Sequence, residues 1–521
     1  MTEVQNSALD KRIKKHVIGK PHRFMAVAPL GFEDTLAEEL KYIGVEVASD
    51  ETLGSKSTAA ASSSNSTADA YGLNCAASIK VAGDGKVEFT AKITEAWKAV
   101  AYSRIANRIL MEIGCFKAEN FGQLEKGAAA VPWELYLPVC HSERSVAKSI
   151  NETRNFSSLV ELGSKEQNLD IHVTCKHSRL YHSGAIEERV APIIAKALAG
   201  SNPDSYPQNL YVNLQDDRCT LWLDLAGEEL YKRGHERFVA EAPLKETIAA
   251  AMIFESAKIA STNNPKSTEG ATPHLKASDA SALITFIDPM AGSGTFSLEA
   301  AYIAYGLIPG KCRDFALKHQ PAFKNGTWNF ILKSGIPREP LCHSRESENL
   351  AVQKSFTSAI QIITSDISER PVSIIKHNAE ASPLAEIAKT NPNAVIINPQ
   401  QKDFFSYTSN DIPEGSIILL NPPYGKRLAF DAPKLYTKIG QKLDQLSREA
   451  QARNNNSQSR DIALTVAILA PKDDTRGGAH YTCTENLLKA CPALDPRKNS
   501  AAKLIETSHG GFSLNAIFAK I

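Results

Sequence analysis

The stretch "SIILLNPPYGKRL", residues 416–428, poses a structural question. Ile417 to Leu420 form an uninterrupted apolar run that fits a buried strand, and it stops at Asn421-Pro422-Pro423-Tyr424. Proline lacks the N–H that a sheet ladder needs, so the chain must leave the sheet there. The corner then holds an amide and a phenol ring on a stiff turn. Working outward, other apolar runs share this form: "ALITFID" (282–288), "AIQIITSD" (359–366), "NAVIINP" (393–399) and "DIALTVAILAP" (461–471), beside "GSIILLNPP" (415–423). Continuous apolar strands alternating with helices predict a parallel sheet covered on both faces. The final "AAKLIETSHGGFSLNAIFAKI" predicts an antiparallel hairpin around Gly510-Gly511 at the sheet edge.

The first 225 or so residues have another rhythm. "HRFMAVAPLGFEDTLAEELKYIG" (22–44) predicts a strand, a turn at Gly31 and a helix with Leu36, Leu40 and Ile43 on one face. Residues 55–70 are Ser/Ala/Thr-rich and predict a flexible surface insertion within 49–80. "KVEFTAKI" (86–93) predicts a strand and "EAWKAVAYSRIANRILMEIG" (95–114) a helix. "LDIHVTCKHSRLYHSGAIEERVAPIIAKALAG" (169–200) predicts a strand, a basic and aromatic connector, and a helix. "NLYVNLQDDRCTLWLDLAG" (209–227) predicts a hairpin about Gln215 to Arg218. This half is α+β. "PLKETIAAAMIFESAKIA" predicts a helix before a low-complexity linker at 261–282, and 452–460 is a polar loop.

With 521 residues, two or three domains are expected. A net charge of +1 gives no global pull toward nucleic acid, so basic surface must be local. Residues 1–23 carry six Lys/Arg against Glu3 and Asp10, and are expected to form a solvated, disordered tail. Nine scattered cysteines without a C-x-x-C pair argue against a disulfide framework or zinc site, and no metal is expected. The absence of a long apolar run or leader-like segment predicts a cytoplasmic chain without a membrane span.

In an open parallel sheet, ligands sit at the carboxyl ends of the strands. "DPMAGSGTFSLEAA" (288–301) puts Asp288 and Pro289 at such an end. Gly292 and Gly294 follow for a tight turn with close backbone approach, and Thr295 opens a helix. The strict dinucleotide fingerprint fails because Ser297 occupies its third glycine position. Asp288 repels phosphate and suits an ammonium or sulfonium. Asp366 in "TSDISERP" can accept both hydroxyls of a ribose, or cap the helix that follows. Asp403, beside Phe404 and Phe405, can accept from an adenine amino group or serve as an ordinary loop residue. Together with Asn-Pro-Pro-Tyr, these describe a pocket for S-adenosylmethionine beside a planar amine. The Asn421 amide oxygen and the Pro422 carbonyl can accept from an exocyclic NH2 and stabilise charge developing on nitrogen, with positioning as the main contribution. Tyr424 can stack on the base, returning ~1–3 kcal/mol against the few kcal/mol that flipping costs.

"DPMAGSGT", "SDIS" and "LLNPPYGKRL" resemble the amino-methylating branch of the Rossmann-fold methyltransferases. "LDLAGEELYKRGHERFVAEAPLKETIAAAM" (223–252) and "CRDFALKHQPAFKNGTW" (312–328) resemble segments of the RlmL-type 23S rRNA guanine-N2 methyltransferases. "APLGFEDTLAEELKYIG" resembles that family's ferredoxin-like start; "AYSRIANRIL" and "HSRLYHSGAIEERVAPII" resemble its THUMP RNA-binding domain. The resemblance implies four segments: a basic tail (1–20), a ferredoxin-like subdomain (21–94), a THUMP domain (95–225) and a Rossmann-like S-adenosylmethionine-dependent methyltransferase domain (226–521). It implies methylation of a guanosine N2 in 23S rRNA or a large-subunit precursor. Transfer to tRNA guanine or to adenine N6 is the alternative. No obligate protein partner is implied, and the second methyltransferase fused onto some relatives is expected to be absent.

By the resemblance, Asp288, Pro289, Gly292, Gly294 and Thr295 line the methionine end of the cofactor, Asp366 the ribose and Asp403 the adenine. Asn421 lies at the cofactor and, with Pro422 and Tyr424, holds the guanine. Lys176, Arg179 and Tyr181 in the THUMP connector, with Lys426 and Arg427, are the RNA-contact candidates. Arg233, Arg237 and Lys245 precede the catalytic segment, and some of them are expected near cofactor or RNA. Ser368 replaces an acidic residue of the family, and Lys426 a frequent glutamate.

Overall fold

The computed structural model describes residues 3–48, 79–138, 168–198, 206–235, 237–239, 243–261, 284–335, 360–390, 397–424, 431–456, 464–473 and 482–521. The chain divides into two compact units. One holds residues 1–27, 39–230 and 313–337; the other holds 28–38, 231–312 and 338–521.

The first unit contains strands β1 (Pro21–Val27), β2 (Lys80–Gly83), β3 (Lys86–Lys92), β4 (Arg108–Lys117), β5 (Leu169–Lys176), β6 (Gln208–Gln215) and β7 (Arg218–Asp224). They form one sheet in the order β2-β3-β1-β4-β7-β6-β5. The segments expected as ferredoxin-like and THUMP therefore share a sheet, because β4 pairs antiparallel with both β1 and β7. Asp216 and Asp217 take positive φ at the β6–β7 turn, as a two-residue hairpin connection requires.

Two expectations for this unit need correction. Residues 95–114 are not one helix: the helix Ile93–Tyr102 ends at an extended Ser103, and Arg108–Lys117 is β4. Buried Glu39 accepts from the Ser103 hydroxyl at 2.6 Å and the Arg104 backbone N–H at 2.8 Å, fixing the break. Beyond it, Ile109, Met111 and Ile113 alternate along the strand on its buried face. The amino-terminal tail is not disordered either. A helix spans Glu3–Ile13 and runs into a wider turn at Lys14–Ile18. Ile13 and Val17, one turn apart, are buried, and Arg12 pairs with Glu134 at 2.8 Å.

The second unit contains β8 (Ile284–Asp288), β9 (Ile360–Asp366), β10 (Gln400–Gln401), β11 (Ile417–Leu420), β12 (Thr465–Pro471), β13 (Lys503–His509) and β14 (Phe512–Lys520). Their order is β10-β9-β8-β11-β12-β14-β13. Pairing is parallel from β10 to β12 and antiparallel through β14 and β13. The strand order reverses beside β8, and there a doubly wound sheet opens a crevice at its carboxyl edge. Of the expected strand at 393–399, residues 393–396 lie outside the described residues, 397–399 are not strand, and the pairing occurs at Gln400–Gln401. The core of this unit is apolar on both faces of β11 and β12, whose residues from Ile417 to Leu420 and Val466 to Ala470 are all buried.

Candidate active site

The carboxyl ends of β8, β9, β10 and β11 bring together Asp288, Asp366, Asp403 and Asn421. Register fixes this: Ile287 lies beside Ile418 on one side and Ile363 on the other, and Asp366 lies beside Gln401. The glycine-rich corner and the Asn-Pro-Pro-Tyr corner thus leave adjacent parallel strands at the same edge.

Asp288 is 2% exposed. Its Oδ2 accepts from the Ser297 backbone N–H at 3.2 Å and the Ser297 hydroxyl at 2.8 Å, and that hydroxyl also meets Thr364 Oγ1 at 2.8 Å. Ser297 is the residue that spoils the dinucleotide fingerprint. Here a hydroxyl at that position turns the carboxylate. The other oxygen, Oδ1, is buried and has no hydrogen-bond partner. Burial pushes the carboxyl up to about 7, opposed by the Ser297 hydrogen bonds and assisted by the charge of Asp366.

Gly292 and Gly294 take φ of +54° and +78°, the latter capping the helix Thr295–Ala304. A Cβ on Gly294 would meet Ile375 side-chain atoms at 3.0 and 3.1 Å, whereas a Cβ on Gly292 would meet open space. Gly294→Ala is therefore expected to cost about 2 kcal/mol of stability, from the left-handed backbone and the crowding. Gly292→Ala should cost less stability, since only the left-handed backbone opposes it, and would put a methyl group into the open space beside the turn. Urea midpoints and cofactor affinity for the two variants check this pair.

Asp366 Oδ2 accepts from the Gly292 N–H and Oδ1 from the Ser368 N–H, both at 3.0 Å. Each carboxylate oxygen can accept a second bond, so this use leaves capacity for ribose hydroxyls. Asp403 Oδ1 caps the short turn Phe404–Ser406 by accepting from the Phe405 N–H at 3.0 Å.

At the Asn-Pro-Pro-Tyr corner, Pro422 is buried and Asn421 and Tyr424 are half-buried. Asn421 Oδ1 is buried and accepts no hydrogen bond. An acceptor without a partner costs roughly 1–3 kcal/mol, so such an atom marks a place prepared for a donor. Tyr424 hydrogen-bonds His509 Nδ1 at 2.9 Å.

Sequence reasoning did not resolve the segment before the catalytic strands. Arg233 forms a buried ion pair with Glu299 at 2.9 Å. Arg237 pairs with Glu246 and donates to the hydroxyls of Ser293, at 3.3 Å, and Thr295. Its Nε is buried and unpartnered. Lys245 lies 4.7 Å from the Tyr231 ring centroid. Asn378 clamps Phe238 with two backbone bonds of 2.8 Å and also donates to the Ser293 carbonyl at 3.2 Å. Only a pattern of buried charge could have singled out Arg237, and that pattern appears once the turn is folded.

Among the RNA-contact candidates, Lys176 ends β5 and Arg179 and Tyr181 lie between it and the helix Ser183–Leu198, all in the first unit and all exposed. Lys176 faces Asp84 at 3.6 Å; Arg179 faces Glu119 and Asp217, each at 3.4 Å. Exposed pairs of this kind are weak. Tyr181 leans on His182 with ring centroids 4.2 Å apart. Lys426 and Arg427 lie outside the described residues. Among the described residues, no helix is long and apolar enough to cross a membrane, and no cluster suits a metal ion.

Residues 271–468 match a protein family described as RMKL-like, methyltransferase domain. The Bacillus subtilis protein YpsC, named provisionally as an RNA methyltransferase, is 25% identical over 82% of this chain and 86% of its own length. The ribosomal RNA large subunit methyltransferase K/L of Shewanella baltica is 26% identical over 81% of this chain. The chain spans about half that relative's length, 46%. Among solved structures, SMU.472, a provisionally assigned methyltransferase complexed with SAH, aligns over 96% of this chain and 98% of its own at TM-score 0.60 and 20% identity. A predicted N6-adenine-specific DNA methylase from Listeria monocytogenes aligns over 96% of both chains at TM-score 0.58 and 20% identity. The resemblance to the RlmL-type enzymes and the Rossmann-like methyltransferase fold expected from the sequence are both found.

Proposed function

We propose that this chain methylates the exocyclic N2 amine of a guanosine in 23S rRNA, using S-adenosylmethionine. The observation that carries the reading is the pair of buried, partnerless acceptors, Asp288 Oδ1 and Asn421 Oδ1, at the carboxyl ends of neighbouring parallel strands. They fit one group on each of the two molecules that the reaction brings together. The first suits an ammonium and the second an aromatic amine. The match of residues 271–468 and the SAH complex of a structural neighbour support the cofactor. The names of the large-subunit relatives support the rRNA substrate.

When bound, S-adenosylmethionine supplies an electrophilic methyl group on a sulfonium. Asp288 would hold the ammonium of its methionine part, and Gly292 and Gly294 would let the backbone approach it. Asp366 would take the ribose hydroxyls and Asp403 the adenine. Asn421 Oδ1 and the Pro422 carbonyl would accept from the guanine NH2, aiming its lone pair and stabilising the positive charge that grows on nitrogen. No strong base is required, because the exocyclic nitrogen, once methylated and cationic, regains conjugation with the purine ring by releasing its proton to water. Tyr424 would stack on the extruded base. The first unit, with its expected ferredoxin-like and THUMP segments, would supply RNA contacts through Lys176, Arg179 and Tyr181. Such an enzyme would work in the cytoplasm on the large subunit or its precursor.

The test measures SAH binding by calorimetry and methyl transfer to unmodified 23S rRNA, tRNA and DNA, followed by nucleoside analysis. N2-methylguanosine in 23S rRNA is the expected product. N6-methyladenine, or labelling confined to tRNA, would replace the substrate assignment, and no SAH binding would remove the enzyme reading.

A further inference from the structure

We propose that His509 is a positioning residue for the reaction: it holds the Tyr424 ring in the orientation that receives the target base. This rests on the amine-methylation reading above.

His509 and Phe512 are the last directly opposed pair of the β13–β14 hairpin. Between them Gly510 and Gly511 take φ of +58° and +81°, the geometry of a two-residue hairpin turn. A Cβ at either glycine would meet nothing, so their value lies in the dihedral angles alone. The tight turn presents both side chains on one face of the hairpin, as opposed residues of an antiparallel pair must be.

Tyr424 meets both. Its hydroxyl lies 2.9 Å from His509 Nδ1. The Tyr424 ring centroid is 6.4 Å from that of His509 at 80°, and 6.2 Å from that of Phe512 at 70°. These are edge-to-face contacts, so neither neighbour takes the parallel stacking position on the phenol. His509 is 9% exposed, so it is largely packed in place, and Phe512 is 39% exposed. Pro422 and Pro423 stiffen the backbone before Tyr424 but leave its side-chain torsions free. The hairpin fixes those torsions from outside the motif. The imidazole Nδ1 and the phenol hydroxyl share one hydrogen bond, so the ring positions of the two residues are coupled.

The experiment compares wild type, His509→Ala, His509→Gln, Tyr424→Phe and the His509→Ala/Tyr424→Phe double variant, with RNA varied at saturating cofactor. His509→Ala is expected to lower kcat about tenfold, with KM for RNA and SAH affinity nearly unchanged, because the substitution leaves in place the residues proposed to hold RNA and cofactor. Gln retains an acceptor and should restore most of the rate. Tyr424→Phe removes the other end of the same bond, so the double variant should fall no further than about twofold below the worse single variant. Wild-type kcat in His509→Ala, or multiplicative losses in the double variant, would overturn the proposal. So would a loss of SAH affinity and melting temperature that tracks the loss of rate, which marks a purely structural role. If the wild-type protein binds SAH but methylates no nucleic acid, the underlying reading fails and this proposal with it, a result distinct from those above.

Discussion

Replacing Asn421 by alanine is expected to lower methyl transfer by about 10²-fold or more, while SAH affinity and the melting temperature change little. The buried Oδ1 accepts nothing in the protein, so its removal leaves no internal donor unsatisfied. Indeed the ligand-free protein escapes the cost of an orphaned acceptor, and a small gain in stability is the expected sign. The loss falls where the target amine must be aimed and its growing charge met. Single-turnover rates with saturating cofactor read this step directly. Full activity in Asn421→Ala would show that the corner does not hold the amine.

Asp288→Asn is expected to move stability and cofactor affinity in opposite directions. Burial raises the Asp288 carboxyl to about 7, above the unfolded value near 3.9. A raised folded-state value means that the native protein holds the proton more tightly. The group therefore does no harm below the unfolded value, and stability declines as pH rises through about 7. Above that, the ionised carboxylate carries a penalty on the order of a few kcal/mol. Asparagine has no charge to lose, so the variant should melt higher than wild type at pH 8 and alongside it at pH 4. Binding runs the other way. An ammonium favours the ionised form, so wild-type affinity for SAH should fall about tenfold per pH unit below about 7, while the variant binds weakly at every pH. Calorimetry from pH 5.5 to 8.5 checks the slope. A flat wild-type profile would detach Asp288 from the cofactor ammonium.

Much of the second unit was legible because its strands announce themselves in two ways at once. The runs ending at Asp288, Asp366 and Leu420 are rich in apolar residues, and each closes on, or is followed directly by, a carboxylate or an amide-proline pair that suits neither the core nor the ladder. The Gly510-Gly511 hairpin was legible for a dihedral reason. What failed is equally physical. "RIANRILMEIG" carries apolar residues at spacings that satisfy a helix and a strand together, and tertiary pairing with β1 and β7 chose the strand. The basic start of the chain looked solvated because charge dominates its composition, yet the two apolar residues one turn apart suffice to dock it. Within the candidate site, Asp288 and Asn421 are named from strand ends, whereas the contacts of Ser297, Arg237 and His509 come from partners 9, 56 and 85 positions away in sequence. No local pattern encodes such partners.

The passage of the chain between its two units has a consequence for synthesis. Residues 313–337 are counted with the first unit although they follow the glycine-rich corner of the second, and residues 28–38 make the reverse excursion. Phe315 and Trp328, buried and edge-to-face at 5.6 Å, belong to that late segment. A nascent chain that has emerged only as far as residue 230 therefore still lacks part of its first core. Neither half can be harvested by a single cut, and a fragment beginning at residue 226 would carry the aromatic pieces of a body it no longer has.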